Sequence, residues 1–267
     1  MIALGLRIPQ KQAEPWLEEL VGRGMTVELE VGADIFRDGG ASQEVFARQG
    51  LQVLCVRDIV DAQLGRYLED VGKSVFDQAV NGAVQALETA REYGARVATL
   101  DLGFDRMARD DSGESLTSSR VALLRKLIPV AEDSHISLCS PVRVPPEFPG
   151  SREMQVAANL IHDAEIPHFR AALNLFPGEL DRERGLKEVS RHATFLSGLI
   201  RIHYPPMGDD EMDPDWVRAL VAELNWNGYE GGIVFCPEEC ELGKVGPACE
   251  YAGEMLELAR MEISHEA

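Results

Sequence analysis

The 267-residue chain is expected to fold as a single α/β domain, a (β/α)8 TIM barrel spanning residues 1–267. Three observations lead there. Eight short aliphatic or β-branched runs alternate with segments whose apolar residues recur at helical spacing. The length suits a barrel of roughly 250 residues. The first strand runs into Arg7-Ile8-Pro9-Gln10 rather than the G-x-G-x-x-G turn that opens many doubly wound nucleotide-binding sheets.

The strands are expected at Ile2–Ile8, Thr26–Val31, Leu51–Arg57, Arg96–Leu102, Ile136–Val142, Phe169–Leu175, Leu199–Tyr204 and Gly232–Cys236. The first helix, Lys11–Arg23, carries Trp16, Leu17, Leu20 and Val21 on one stripe, and a short second one is expected over Ser42–Gln49. The third and longest, Ser74–Tyr93, has Val75, Ala79, Ala83, Ala86, Leu87 and Ala90 on its apolar face, with Gly94 placed to cap its end. Ser115–Asp133, Arg152–His162 and Asp181–Phe195 follow as the fourth to sixth helices. The seventh runs from Pro214 to Trp226. Asp213 is its N-cap, and Pro214 takes the first helical position, where a missing N–H costs nothing. Gly246–Met261 is the eighth.

Composition narrows the function classes. With 26 Lys and Arg against 45 Asp and Glu, the net charge is −19 and the pI near 4.7. Such a surface repels phosphate backbones and anionic lipid, so no nucleic-acid or membrane partner is expected. No apolar run approaches the roughly 18 residues of a membrane span. The first ten residues lack the basic start and apolar stretch of a signal peptide, and the five scattered cysteines do not form a disulfide framework. A cytoplasmic location is therefore expected. Cys236, Cys240 and Cys249 stand at C-x3-C-x8-C spacing with no fourth ligand, unlike a zinc ribbon, and read as packing or loop thiols.

In a barrel, alternate strand residues point inward, and active sites gather at the C-terminal strand ends. The outward face is covered by helices, so polar strand residues are most easily placed inward: Arg7, Glu30, Arg57, Asp101, Asn174, Arg201 and His203. Ser140, Arg143 and Arg170 extend this polar set, and Glu238 follows the last strand. Guanidinium forks suit carboxylate and phosphate oxygens, so Arg7, Arg57, Arg143, Asn174, Arg201 and Glu238 are the candidate binding residues for a small anionic sugar-type ligand. His203, Glu30 and Asp101 are the candidate catalytic residues. His203 would act as general acid or base with Glu30 or Asp101 fixing its tautomer, and the two carboxylates could move a proton next to a carbonyl. The same charges also read as internal salt bridges that fill the barrel, because buried charges must be paired in any case. Substituting Arg57 and Arg201 by Met separates the two readings.

The last third of the chain carries a more specific pattern. LIRIHY over 199–204, then DWVRALVAELNWNGYEGGIVF over 215–235, is a strand ending in His, an Asp-Trp helix start and a Gly-Tyr-Glu-Gly turn into the final strand. With AALNLFPGEL over 171–180 and the long third helix ending in Tyr93-Gly94-Ala95, this resembles the xylose isomerase-like TIM-barrel superfamily. That group includes sugar and sugar-phosphate isomerases and epimerases, hydroxypyruvate- and inosose-type enzymes and endonuclease IV. The resemblance implies proton transfer next to a sugar carbonyl, with a divalent metal at the barrel mouth. It implies metal ligands as Glu after strand five, Asp after strand six, His nearby or after strand seven and Glu after strand eight. Those positions here hold Ser140 or Pro141, Phe176 followed by Glu179, and Cys236; Asp101-Leu102-Gly103 replaces a common His-Pro-Gly. Only His203 matches.

A hard divalent ion needs several oxygen ligands, so the standard metal site is expected to be absent. No cofactor is expected, and a metal held by other ligands is left open. The trinuclear zinc cluster and basic face of an endonuclease IV are missing. The chain thus reads as a divergent isomerase/epimerase-like barrel, or alternatively as a non-catalytic barrel that binds a small ligand or a partner.

Overall fold

Eight parallel strands, each hydrogen-bonded to the next and the last to the first, close into a barrel in the order of the sequence. The computed structural model describes residues 2–9, 12–25, 27–33, 52–68, 70–103, 118–144, 158–159, 169–177, 180, 184–205 and 212–265. The strands are β1 (Ala3–Arg7), β2 (Glu28–Gly32), β3 (Gln52–Arg57), β4 (Val97–Thr99), β5 (Ser137–Arg143), β6 (Phe169–Leu175), β7 (Ser197–Tyr204) and β8 (Gly232–Pro237). Among the described residues seven α-helices accompany them: α1 (Ala13–Gly22), α2 (Ala62–Arg66), α3 (Lys73–Glu92), α4 (Ser118–Asp133), α5 (Arg184–Leu196), α6 (Pro214–Trp226) and α7 (Val245–His265).

The expected (β/α)8 architecture is borne out, with local differences. The expected helix over 42–49 lies outside the described residues, as does all of 152–162 except the helical pair 158–159. The five-residue α2 was not anticipated. It is too short to show a period, and it starts because the Asp61 carboxylate accepts the Leu64 N–H at 3.0 Å. Gly65 on this helix lets it approach β4: a Cβ there would fall 2.1 Å from the Asp101 carbonyl oxygen. The Asp213 cap at the start of α6 is present, its Oδ1 accepting the Asp215 N–H at 2.9 Å. Among the described residues, no helix is long and apolar enough to cross a membrane.

The main core lies between strands and helices. Leu6, Leu29, Val31, Val56, Leu173, Ile200, Ile202, Ile233 and Phe235 face outward onto Trp16, Leu20, Leu87, Val217 and Leu220 from the helices. A second cluster fills the barrel interior: Leu54, Val97, Ala172, Leu199 and Val234, with the thiols of Cys55, Cys139 and Cys236. Two bulges set the inward phase. Leu29 pairs with Val53 but Glu30 with Cys55, so Leu54 is an extra residue in β3; likewise Gly198 is an extra residue in β7. After these bulges Cys55 and Arg57 share the inward face of β3, and Leu199, Arg201 and His203 that of β7.

Candidate active site at the barrel mouth

Above the apolar interior, strands β1, β2, β4 and β7 bring a charged network to the barrel axis. The Glu30 carboxylate is fully buried; one oxygen lies 3.0 Å from Arg7 Nη2 and 2.7 Å from Arg201 Nη2. Arg201 Nε donates to the other oxygen at 3.3 Å, and its Nη2 also donates to Thr99 Oγ1 at 2.9 Å. Burial alone would push the Glu30 carboxyl up, but the Arg201 and Arg7 charges outweigh it and hold it down at about 2. The same carboxylate keeps Arg201 charged despite its burial.

Nearer the rim, Arg57 Nη1 pairs with Asp58 at 3.1 Å. Asp58 takes a left-handed backbone (φ +58°), a conformation Asp tolerates, and so folds its carboxylate back onto the preceding side chain. The Nε atoms of Arg7 and Arg57 are both buried with no hydrogen-bond partner among the described residues. Asp101 is buried at the end of β4, its Oδ1 accepting the Gly103 N–H at 2.8 Å. The Cys236 thiol lies in this ring of charges, and burial pushes it up to about 12, too high for a thiolate at neutral pH.

The opposite side of the mouth is built on β5, β6 and β7, where Arg143, Asn174 and Arg201 are register neighbours. His203 Nε2 lies 3.0 Å from Asn174 Oδ1, and its ring stacks on Phe176 with centroids 4.7 Å apart and planes 15° from parallel. The Arg143 guanidinium also lies over the Phe176 ring, 4.7 Å from its centre. Burial first, then the Arg7 and Arg201 charges, pull His203 down to about 3, so the imidazole is neutral at physiological pH.

Eight of the nine candidate site residues are gathered at this mouth. Glu238, the ninth, is exposed at the rim just beyond β8, where its backbone N–H bonds the Tyr204 carbonyl. The partner of His203 is not a carboxylate, as expected, but Asn174, because Glu30 is drawn onto two guanidiniums and Asp101 onto its own turn. Ser140 lies on the outward face, since Cys139 takes the inward phase, and its hydroxyl accepts the Leu102 N–H at 3.2 Å. Arg170 sits at the other end of β6, lining a cavity of about 370 Å³ under the barrel with Arg96 and Ser137. Sequence reasoning passed over Asp58, for which no signal existed beyond its place after Arg57. It noted Phe176 as a lost carboxylate rather than as the platform under His203.

The described residues do not fit a divalent metal at this mouth. They contain no group of three or more His, Cys, Asp or Glu placed to hold one. The positions expected to supply ligands hold the Phe176 ring and the protonated Cys236 thiol, and the His203 nitrogen facing β6 is occupied by Asn174. A cation would also lie in the field of Arg7, Arg143 and Arg201, the same charges that disfavour a proton on His203. Glu179 lies outside the described residues. The three C-terminal cysteines are dispersed: Cys236 in the barrel, Cys240 bonded through its backbone to Gln12, and Cys249 against Met25.

With this geometry in hand, similar solved structures can be compared. A 3-keto-D-glucoside 4-epimerase from E. coli superimposes with a TM-score of 0.65 at 14% identity, over 98% of this chain and 100% of the other. A D-psicose 3-epimerase from Clostridium cellulolyticum H10, crystallised with D-tagatose, gives 0.66 at 13%, covering 98% and 99%. A xylose isomerase domain protein from Alicyclobacillus acidocaldarius gives 0.57 at 13%, covering 97% and 100%. The fold is that of the xylose isomerase-like TIM barrels. No family model and no curated protein sequence matches the chain. At such low identity the xylose isomerase-like likeness establishes the architecture, and the chemistry has to be read from the mouth itself.

Proposed function

We propose that this barrel binds a small anionic sugar, such as a sugar phosphate or sugar acid, at its C-terminal mouth, and acts on it as a divergent, metal-independent isomerase or epimerase. One observation carries the reading: the Nε–H groups of Arg7 and Arg57 are buried at the mouth without an acceptor among the described residues. A buried N–H left unpaired costs about 1–3 kcal/mol, and more when charged, so an anion that accepts both would recover that energy. The charges agree: among the described residues, four guanidiniums (Arg7, Arg57, Arg143 and Arg201) share the mouth with three carboxylates (Glu30, Asp58 and Asp101), with Glu238 exposed at the rim, in a chain of net charge −19.

The roles divide by burial. Arg201 and Glu30 form the foundation that orients Arg7, while Arg7, Arg57 and Arg143 meet the ligand. In this reading the neutral imidazole of His203, together with Asp101, accepts or returns a proton next to a carbonyl, and guanidinium charge takes up the negative charge developing on the carbonyl oxygen. Location in the cell is read as cytoplasmic, in keeping with the unpaired, reduced cysteines among the described residues.

A second reading, ligand binding without chemistry, is favoured by Glu30 being wholly engaged by guanidiniums. Two measurements separate the possibilities. Elemental analysis of the purified protein is expected to find no stoichiometric Mn, Co, Zn or Mg; one equivalent would overturn metal independence. Incubation with D-fructose 6-phosphate and D-glucuronate in D2O, followed by NMR, tests for proton exchange next to the carbonyl. Binding with exchange supports the isomerase or epimerase, and binding without exchange supports the second reading.

A further inference from the structure

His203 is the one imidazole at the mouth among the described residues, and which of its nitrogens carries the proton decides what it can do there. Its Nε2 lies 3.0 Å from Asn174 Oδ1. The amide of Asn174 is itself oriented by β5, because its Nδ2 donates to the Val142 carbonyl at 3.5 Å. The reverse amide orientation would set Oδ1 against that carbonyl oxygen, acceptor against acceptor. With Oδ1 thus turned to the ring, the atom facing it must be a donor, so Nε2 carries the hydrogen. The stack on Phe176 holds the ring plane, and Nδ1 has no hydrogen-bond partner among the described residues.

We infer that Asn174 is a positioning residue: it locks His203 in the Nε2–H tautomer and leaves Nδ1 as a lone-pair acceptor for a ligand hydroxyl. This rests on the mouth being a sugar-anion site and refines it. A neutral imidazole with Nδ1 open cannot add a positive charge to an anion; it selects a group that donates. The ligand therefore carries a hydroxyl beside its anionic group, which separates a polyhydroxy anion from a bare one such as inorganic phosphate. The tautomer also makes Nδ1, not Nε2, the atom that would receive a proton in any chemistry at this site.

The test is long-range 1H–15N correlation NMR on 15N-histidine-labelled full-length protein at pH 7, without ligand. His203 is identified among the six histidines by the resonances lost in His203→Gln. A pyridine-type Nδ1 and a pyrrole-type Nε2 are expected in the wild type. Asn174→Leu, which removes the acceptor facing the ring, should lose that pattern and show averaged tautomers. A pyrrole-type Nδ1 in the wild type would overturn the inference, and this spectrum decides even if the variants fail to fold. An Asn174→Leu spectrum identical to the wild type would also overturn it. Addition of D-glucose 6-phosphate should move the Nδ1 resonance, and inorganic phosphate should not. If neither ligand binds, the sugar-anion reading fails while the ligand-free tautomer still stands on its own result.

Discussion

Replacing Glu30 by Gln keeps the size of the side chain but removes the charge that lies 2.7 Å from Arg201 and 3.0 Å from Arg7. The carboxyl sits at about 2 against an ordinary 4.5, which corresponds to about 3 kcal/mol in favour of the charged form. The variant also strands two guanidiniums at the barrel axis, and breaking a buried pair in this way typically costs about 3–5 kcal/mol. For a chain this long the melting temperature should fall on the order of 10 °C. Urea unfolding followed by tryptophan fluorescence reads it directly, since Trp16 and Trp216 are buried. The pH profile supplies the sign. A carboxyl held below its ordinary value contributes fully above about pH 4.5 and loses its contribution as the pH falls toward 2. Wild-type protein should weaken through that window, and Glu30→Gln should lack this component. A loss under about 1 kcal/mol, or identical acid profiles, would refute the view that Glu30 is the counterion of both arginines.

Two further outcomes follow from the same geometry. His203 is held at about 3, below the ordinary histidine value of 6.5, so only the unfolded chain takes up its proton in mild acid. The wild type should therefore lose about 1 kcal/mol of stability per pH unit below about 6.5. His203→Gln should flatten that slope, and parallel profiles would contradict the assignment. Gly65→Ala should cost about 1–3 kcal/mol in urea unfolding, because the added methyl meets the Asp101 carbonyl at the end of β4; unchanged stability would show that α2 does not press on that turn.

Much of the fold was legible because it rests on local periodicity. Eight aliphatic runs and intervening helical stripes define a barrel without reference to any contact, and Asp213-Pro214 marks a helix start by backbone chemistry alone. What the strands would present inward was harder, because one extra residue reverses the phase. The bulges at Leu54 and Gly198 decide which way β3 and β7 face, and neither is visible in the pattern of residues. Partner choice was harder still. Glu30 and Asp101 looked equally able to orient His203, yet closure of the barrel sets Glu30 between β1 and β7, and the end of β4 turns Asp101 onto Gly103. Asn174 was legible as an inward polar residue, but its role depends on a register with β5 and β7 that only the closed sheet supplies.

Isothermal titration of wild type, Arg57→Gln and Arg96→Gln with D-glucose 6-phosphate tests the central claim most directly. Arg57 is at the mouth, whereas Arg96 pairs with Glu28 at the far end of the barrel. One site per chain is expected in the wild type, weakened at least about tenfold in Arg57→Gln, in line with the loss of a desolvated charge contact, and unchanged in Arg96→Gln. Equal affinity in wild type and Arg57→Gln, or loss of binding in Arg96→Gln alone, would contradict an anion seat made of guanidiniums at the mouth.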